Sequence, residues 1–341
     1  MKIFYAVQAT GNGHISRAME LLPYLQQYGP VDIFLSGNNS HLVLDAPVKY
    51  RSKGVSLYYN CKGGLDFWKL IRKTQPLRLK QESNDLPVEN YDLVINDFDY
   101  ITSAACAKKN IPSVNLGHQA SFKSPLTPRP DVKSITGEWV LKNYARATRY
   151  IGFHFQSYDD FILTPVIKKE VLEAAPFDGN YVTVYLPSYC EPQLLDIFHS
   201  FSDVRFEIFC SQTQRAKSYN NISLLPVDRH LFTKSLVGCS GIITGGGFET
   251  PAEALHLGKK IMTIPITNHY EQQCNAVALE QLGVTKLKKI DRDFSAKFYT
   301  WLRHSKSIKI DYSQTIPQCL AFLFADKTAN TFDQSLSKEL V

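Results

Sequence analysis

The sequence predicts an α/β protein of two domains, each built on a parallel sheet, and three observations carry that prediction. A chain of 341 residues is long enough for two cores of ordinary size. Its first stretch, from Lys2 to Gly37, reads as strand, small-residue turn, amphipathic helix and second strand, a βαβ unit that belongs to a parallel sheet. Residues 238–265, GCSGIITGGGFETPAEALHLGKKIMTIP, repeat the order: apolar strand, glycine turn, helix, buried strand.

Composition is that of a soluble globular protein, with 44% hydrophobic, 12% aromatic and 21% charged residues. No run of about 18 apolar residues occurs, so no helix is expected to span a membrane. The opening MKIFYAV is β-rich and lacks signal-peptide architecture. Seven cysteines without a C-x-x-C pair fit neither a disulfide framework nor a zinc site, and suit a reducing cytoplasm. Charge is uneven: residues 1–150 hold 19 Lys/Arg against 12 Asp/Glu, and the remainder 19 against 20. An anionic partner drawn to the first half by long-range attraction is expected, and no nucleic acid.

Lys2–Val7 is the first strand and Gln8–Gly13 the turn. His14–Tyr28 is a helix with Ile15, Ala18, Met19, Leu22 and Leu25 on one face, and Gly29 ends it. The turn carries Gly11 and Gly13, but Ser16 stands at the third position of a dinucleotide fingerprint and no acid follows the second strand, which counts against NAD. No G-x-x-x-x-G-K-[ST] occurs, which argues against a P-loop NTPase. VSLYYN (55–60) is expected as a strand. Phe67–Gln81, FWKLIRKTQPLRLKQ, mixes five cations and no acid with apolar side chains. It reads either as a surface for an anionic membrane or as a solvated helix face with a buried stripe, split by Pro76. YDLVINDFDY gives a buried strand ending in Asp97 and Asp99, at the end where open α/β sheets place their chemistry. Asp99 is also placed to cap the helix ITSAACAKKNI. PSVNLGHQ supplies a strand and a loop with His118 and Gln119, residues 121–137 a long Pro- and Ser-rich loop, and ATRYIGFHF a closing strand. The crossing between domains is expected at 155–178.

YVTVYLPSY opens the second domain as a buried strand, followed by a helix (Pro192–Phe201), the strand VRFEIFC and ISLLPVDRHLF. The organising stretch is Gly238–Ala276. Thr250 is the expected N-cap and Pro251 the first helical residue, with Glu253 at capping-box spacing and Gly258 at the helix end. A helix N-terminus behind a glycine turn presents unpaired N–H groups and a positive dipole end, and the glycines let a phosphate approach. Glu271–Gln281 is the next helix, and the tail from Ser313 contains the apolar helix IPQCLAFLFA.

This stretch resembles the donor-binding motif of GT-B glycosyltransferases of the UDP-glycosyltransferase and MurG-like families, roughly H-x-G-x-x-[ST]-x-x-E followed by [DEQ]-Q-x-x-N-A. Gly246, Gly247 and Thr250 match the phosphate-facing part, and Glu253 the acid that binds ribose hydroxyls. Glu271, Gln272, Asn275 and Ala276 match the later segment, whose first two residues hold the donor sugar. Gly245 departs from the pattern, standing where many relatives have a diphosphate-contacting His. The first turn resembles the family's first loop, G-x-G-H, here Gly11 to His14. The resemblance implies His14 as general base, oriented by Asp97, with Gly13 on the donor side. Ser188 takes the place of a phosphate-binding Ser, and Val227 lies in the loop that meets the nucleotide base.

The resemblance implies a GT-B fold, two Rossmann-like domains facing a cleft. Residues 1–160 would form the acceptor side, 178–312 the nucleotide-sugar side, and 313–341 a helical tail packing back on the first domain. The expected reaction is an inverting transfer from a nucleotide-diphosphate sugar, expected in its UDP-linked form, to a hydroxyl acceptor, with Asp99 and His118 as acceptor contacts. No metal or other cofactor is expected. Two D-x-D triplets occur, but Asp97 and Asp99 lie away from the expected diphosphate, and Asp291 and Asp293 stand where capping is the expected job. A lipid-linked or cell-envelope acceptor, and peripheral contact of 67–81 with the inner face of an anionic membrane, are compatible with this reading. A sugar-nucleotide epimerase or hydrolase, or a non-catalytic nucleotide-sugar binder on the same scaffold, are the alternatives.

Overall fold

The computed structural model describes residues 1–9, 11–37, 44–54 and 75–336, with side chains as far as Ala325. The first domain contributes β1 (Ile3–Gln8), β2 (Val31–Ser36), β3 (Val48–Ser52), β4 (Leu93–Asp97), β5 (Val114–Gly117), β6 (Arg149–Phe153) and β7 (Ile162–Leu163). They form one parallel sheet in the order β3-β2-β1-β4-β5-β6-β7. The second contributes β8 (Val182–Tyr185), β9 (Phe206–Phe209), β10 (Lys217–Tyr219), β11 (Ile222–Leu225), β12 (Gly241–Thr244), β13 (Lys260–Thr263) and β14 (Thr285–Lys286). Their order is β10-β11-β9-β8-β12-β13-β14, with β10 antiparallel to β11 and the other pairings parallel. The helices among the described residues are α1 (Asn12–Leu25), α2 (Pro76–Asp85), α3 (Tyr100–Lys109), α4 (Ile135–Asn143), α5 (Lys169–Leu172), α6 (Glu191–His199), α7 (Arg229–Gly238), α8 (Glu249–Leu257), α9 (Tyr270–Gln281), α10 (Phe294–His304) and α11 (Thr315–Leu336).

Helices cover both faces of such sheets, so central strands read as unbroken apolar runs rather than alternations. Every residue of β1 and of β12 is buried. Strand order reverses between β1 and β4 in one sheet and between β8 and β12 in the other. The crevice outside the strand C-termini at such a reversal is where open α/β sheets bind ligands. Here those ends are Gln8, Asp97, Tyr185 and Thr244.

α1 starts two residues earlier than the pattern suggested and buries Ile15, Ala18, Leu21, Leu22 and Leu25, while Met19 is half-buried. The 121–137 stretch is not wholly loop. A 3-10 turn spans His118–Lys123, and α4 begins at Ile135, where Ser134 accepts from the Gly137 amide at 3.1 Å. Pro76 stands in the first turn of α2, the one place in a helix where its missing N–H costs nothing. VSLYYN and residues 67–74 of the basic segment lie outside the described residues. At α10, Asp293 occupies the cap position without a side-chain bond. Asp291 accepts from its amide at 3.1 Å and pairs with Lys297 at 2.7 Å instead. α11 lies on the first domain: Phe324 stacks on Tyr28 at 3.7 Å between ring centres, and Arg149 donates to the Phe322 carbonyl at 2.8 Å. No helix among the described residues is long and apolar enough to cross a membrane.

Candidate active site

β1 ends at Gln8, and the turn after it places His14 in the first turn of α1. The neighbouring strand β4 ends at Asp97, fully buried, whose Oδ1 lies 2.9 Å from His14 Nδ1. The backbone then turns back sharply at Phe98, a non-glycine residue at φ +56°, a costly conformation that persists only where its surroundings enforce it. Asn96 supplies that enforcement: its Oδ1 accepts from the Asp99 amide at 2.7 Å and its Nδ2 donates to the Asp99 carbonyl at 2.9 Å. The Asp99 carboxylate accepts from the Thr102 amide at 2.6 Å as the N-cap of α3. It is buried in that role, with its pKa pushed up by burial against the bonds from Ser36 and Thr102, so the structure places it as the cap its position also offered.

Sequence reasoning missed Arg17. One turn along α1 from His14, it is buried and donates to both oxygens of Asp97 (Nη2 at 2.8 and 2.9 Å, Nε at 3.2 Å) and through Nη1 to Glu249 Oε1 at 2.6 Å. Burial works against its charge, but Asp97 and Glu249 outweigh that and raise its pKa. Burial alone would raise the Asp97 carboxyl; Arg17 and His14 hold it below its ordinary 3.8. His14 Nδ1 lies within hydrogen-bond distance of two groups, the acceptor Asp97 Oδ1 at 2.9 Å and the donor Arg17 Nη2 at 3.0 Å. In the tautomer that donates from Nδ1 to Asp97, the ring keeps its lone pair on Nε2. A signal existed in the sequence: a cation at i+3 from the histidine, beside the otherwise apolar face of an amphipathic helix.

Gly117, the last residue of β5, completes this side. A Cβ built there falls 2.5 Å from Asp97 Oδ1, so the carboxylate fits because position 117 has no side chain.

On the other side, α8 starts at Glu249, with Phe248 ahead of it already near helical angles (φ −94°, ψ −52°). Thr250 is therefore the second helical residue and not the N-cap, and Glu253 stands too deep to close a capping box. Tertiary contacts override the local cap: Phe248 stacks on His118 at 4.0 Å and Glu249 is held by Arg17. Both oxygens of Glu253 meet Lys168 Nζ, at 3.0 and 3.2 Å, and its carboxyl is pushed up by burial against that cation.

The glycines divide by role. A Cβ on Gly246 would lie 2.4 Å from the Gln272 carbonyl oxygen, so this glycine allows close packing against α9. Its amide donates to Gln272 Oε1 at 3.2 Å, an oxygen that also accepts from the Ile266 amide at 2.9 Å. Through Oε1, Gln272 thus ties down the glycine turn. A Cβ on Gly247 meets nothing within 4 Å, and one on Gly245 only ordinary contacts. Asn275 donates to the Gly246 carbonyl at 3.0 Å.

His118 is buried between the halves. Its Nδ1–H donates to the Phe153 carbonyl at 2.9 Å, and Nε2 lies 2.8 Å from Asn275 Oδ1. Both its ring nitrogens are thus engaged within the protein, where it joins the two halves, and its pKa is lowered by burial against the pull of Glu271. Beside it Glu271 accepts from Gln119 Nε2 at 3.2 Å. Ser188 lies nearly buried in the turn after β8. Val227, half-buried, directly precedes Asp228, whose carboxylate accepts from the Leu231 amide to cap α7.

The two strand-order reversals therefore meet. A Cβ on Gly13 would lie 2.2 Å from Glu249 Oε2, which puts the first loop against the start of α8. An imidazole with its base nitrogen free, braced by a buried carboxylate, stands beside the positive end of a helix behind a glycine turn. That combination can take a proton from one group and stabilise negative charge on another.

Comparison with known proteins agrees with this layout. An uncharacterised glycosyltransferase of Methanosarcina mazei is 23% identical over 84% of this chain and 86% of its own. Among solved structures, UGT89C1 of Arabidopsis thaliana in complex with UDP-L-rhamnose superposes with a TM-score of 0.58 at 12% identity, over 93% of this chain and 92% of that one. MurG of Acinetobacter baumannii gives 0.50 at 14% identity, over 94% and 98%. These likenesses show the GT-B fold. Residues 1–302 match the profile of glycosyl transferase family 1, and the chain belongs to that family of glycosyltransferases.

Proposed function

We propose that this enzyme transfers a sugar from a UDP-linked donor to a hydroxyl acceptor, with inversion and without a metal ion. His14 Nε2 takes the proton from the acceptor hydroxyl as its oxygen attacks the anomeric carbon. The new carbon–oxygen bond forms as the bond to the diphosphate oxygen breaks, and that oxygen leaves with the electron pair. One in-line displacement inverts the carbon. Asp97 stabilises the imidazolium, and the N-terminal turn of α8 stabilises the leaving diphosphate. The observation that carries the reading is the His14–Asp97 bond, 2.9 Å long, at the strand-order reversal facing α8.

The open space at Gly247 suits a phosphate near the backbone. Glu249 holds the place of that anion: its carboxylate bonds Arg17 Nη1, and on this reading the incoming diphosphate takes over that donor. Arg17 then supplies the positive charge that a histidine at Gly245 would have given. UDP as the nucleotide rests on the solved neighbours, among them UGT89C1 of Arabidopsis thaliana with UDP and UGT2 of Phytolacca americana with UDP-2fluoro-glucose. The surplus cations of residues 1–150 favour an anionic or membrane-borne acceptor.

A thermal-shift panel of nucleotide sugars finds the donor, because a ligand of the folded form raises apparent stability. With that donor, His14→Ala should lose about 10²–10⁴-fold in turnover while still binding UDP. Turnover within threefold of wild type in a folded variant, or donor epimerisation without any acceptor, would overturn the reading.

A further inference from the structure

We propose that the outer face of α4, with the loop before it, is a docking surface for an anionic lipid bilayer. This surface is separate from the 67–81 segment and does not rest on the transfer chemistry.

α4 is nine residues long, and its inner side is fully used. Leu141 is buried in a cluster with Phe122, Tyr270 and Cys274; Gly137 abuts the Tyr270 ring; and Glu138 accepts from the Tyr270 hydroxyl at 2.8 Å. At 100° per residue, positions 137, 138 and 141 fall on one side, and 135, 136, 139, 140 and 143 on the other. That outward side should be polar on a helix facing water. Instead it carries Ile135 at 87% exposure, Trp139 at 60% and Val140 at 41%, continued by Val132 at 87% and Leu126 at 64% on the preceding loop. Isolated exposed apolar residues need no explanation, but three on the outward side of one nine-residue helix, including a tryptophan, with two more on the loop before it, set this face apart.

Charge selects the occupant. Residues 123–146 carry five Lys/Arg and two Asp/Glu. One of the two acids, Glu138, is already held by Arg129 at 3.1 Å, Lys142 at 2.8 Å and Tyr270. The other acid, Asp131, stands beside Lys133, so the cations keep the surplus around an apolar strip that carries Trp139, the side-chain combination that settles at a charged lipid interface. A second copy of this chain fits poorly, since a two-fold contact would bring the same cations against each other. The surface also lies close to the site. Tyr270, gripped by the inner side of α4, opens α9 next to Glu271 and Gln272, so a bilayer on the outer side stands about one helix diameter, roughly 10 Å, from the α9 N-terminus.

The test is flotation of the full-length protein with phosphatidylcholine vesicles, with and without phosphatidylglycerol. Wild type should float with the anionic vesicles and stay behind with the neutral ones. The double variant Ile135→Ser/Trp139→Ser changes outward side chains and should keep its circular dichroism and melting temperature, yet bind anionic vesicles at least about tenfold more weakly. Lys133→Glu should cost about fivefold or more, shrinking as salt rises. Undiminished flotation of the folded double variant would overturn the assignment, and so would wild type failing with both vesicle types. A concentration-dependent dimer that the double variant abolishes would also overturn it, in favour of a second copy. None of these readouts uses turnover, so failure of the proposed reaction would leave them unaffected.

Discussion

Gly117→Ala offers a direct test of whether the Asp97 carboxylate positions the base. The backbone at 117 is extended (φ 174°, ψ 174°), a conformation open to alanine, so the substitution brings no backbone strain. What it brings is a methyl group 2.5 Å from Asp97 Oδ1. Ordinary van der Waals separation is about 3.5 Å, so the oxygen must retreat by about 1 Å. Asp97 cannot yield freely, because Arg17 holds both its oxygens. The 2.9 Å bond to His14 is then lengthened past hydrogen-bond range, and the imidazole loses the partner that fixes its tautomer. A displacement of that size at a reacting group costs on the order of 10²-fold in rate. The overpacking itself should cost about 1–3 kcal/mol of stability. Steady-state kinetics should show kcat down about 10²-fold with the donor KM changed by less than about threefold, and urea unfolding should give the stability change. If kcat stays within threefold of wild type in the folded variant, Asp97 does not place His14 for catalysis.

Three further outcomes follow from the same geometry. Gly247→Ala adds a methyl to open space, so its melting temperature should match wild type while the donor KM rises about tenfold, as expected if a phosphate packs there. Asp99→Ser keeps a capping oxygen on α3, so its turnover should stay within twofold of wild type at a stability cost below about 1 kcal/mol; a large rise in acceptor KM would return Asp99 to the acceptor site. Arg17→Met leaves Asp97 and Glu249 without their cation and should cost about 3–5 kcal/mol at neutral pH. The Asp97 carboxyl in the fold lies below 3.8, so its contribution is present above that pH and fades as pH falls through the folded value. The gap between wild type and Arg17→Met, read from urea unfolding across the acid range, should therefore close on acidification.

The fold was legible because its signals are local. β1, α1 and β2 show as an apolar run, a 3.6-residue stripe and a second apolar run, and Gly258 ends α8 at φ +67° as a glycine after a periodic segment should. Among the elements the sequence did not announce, two were hidden for clear physical reasons. β3, VKYRS, alternates at the sheet edge with only Ser52 fully buried, so it has no apolar run to read. α4 carries its apolar residues on the outward side, so a stripe pointing into a core could not announce it.

The site divides along the same line. The His14–Asp97 pair is legible because each residue follows a recognisable strand, and a parallel sheet with its order reversed at β1 and β4 brings those two ends together. What escaped is the layer that joins the halves: Arg17 to Glu249 across 232 positions, Lys168 to Glu253 across 85, and His118 to Asn275 across 157. None of these pairs has a spacing rule, because each depends on how the two halves face one another. The same layer explains the misplaced cap. Thr250-Pro-Ala-Glu253 is a sound local start for a helix, yet α8 begins at Glu249 because Arg17 and His118, both from the other domain, grip Glu249 and Phe248. Leaving buried Arg17 without Glu249 would cost more than a cap that stabilises by about 1 kcal/mol. The residues that set the start of the anion-facing helix therefore belong to the opposite domain, so the geometry on the donor side depends on the domain that carries the base.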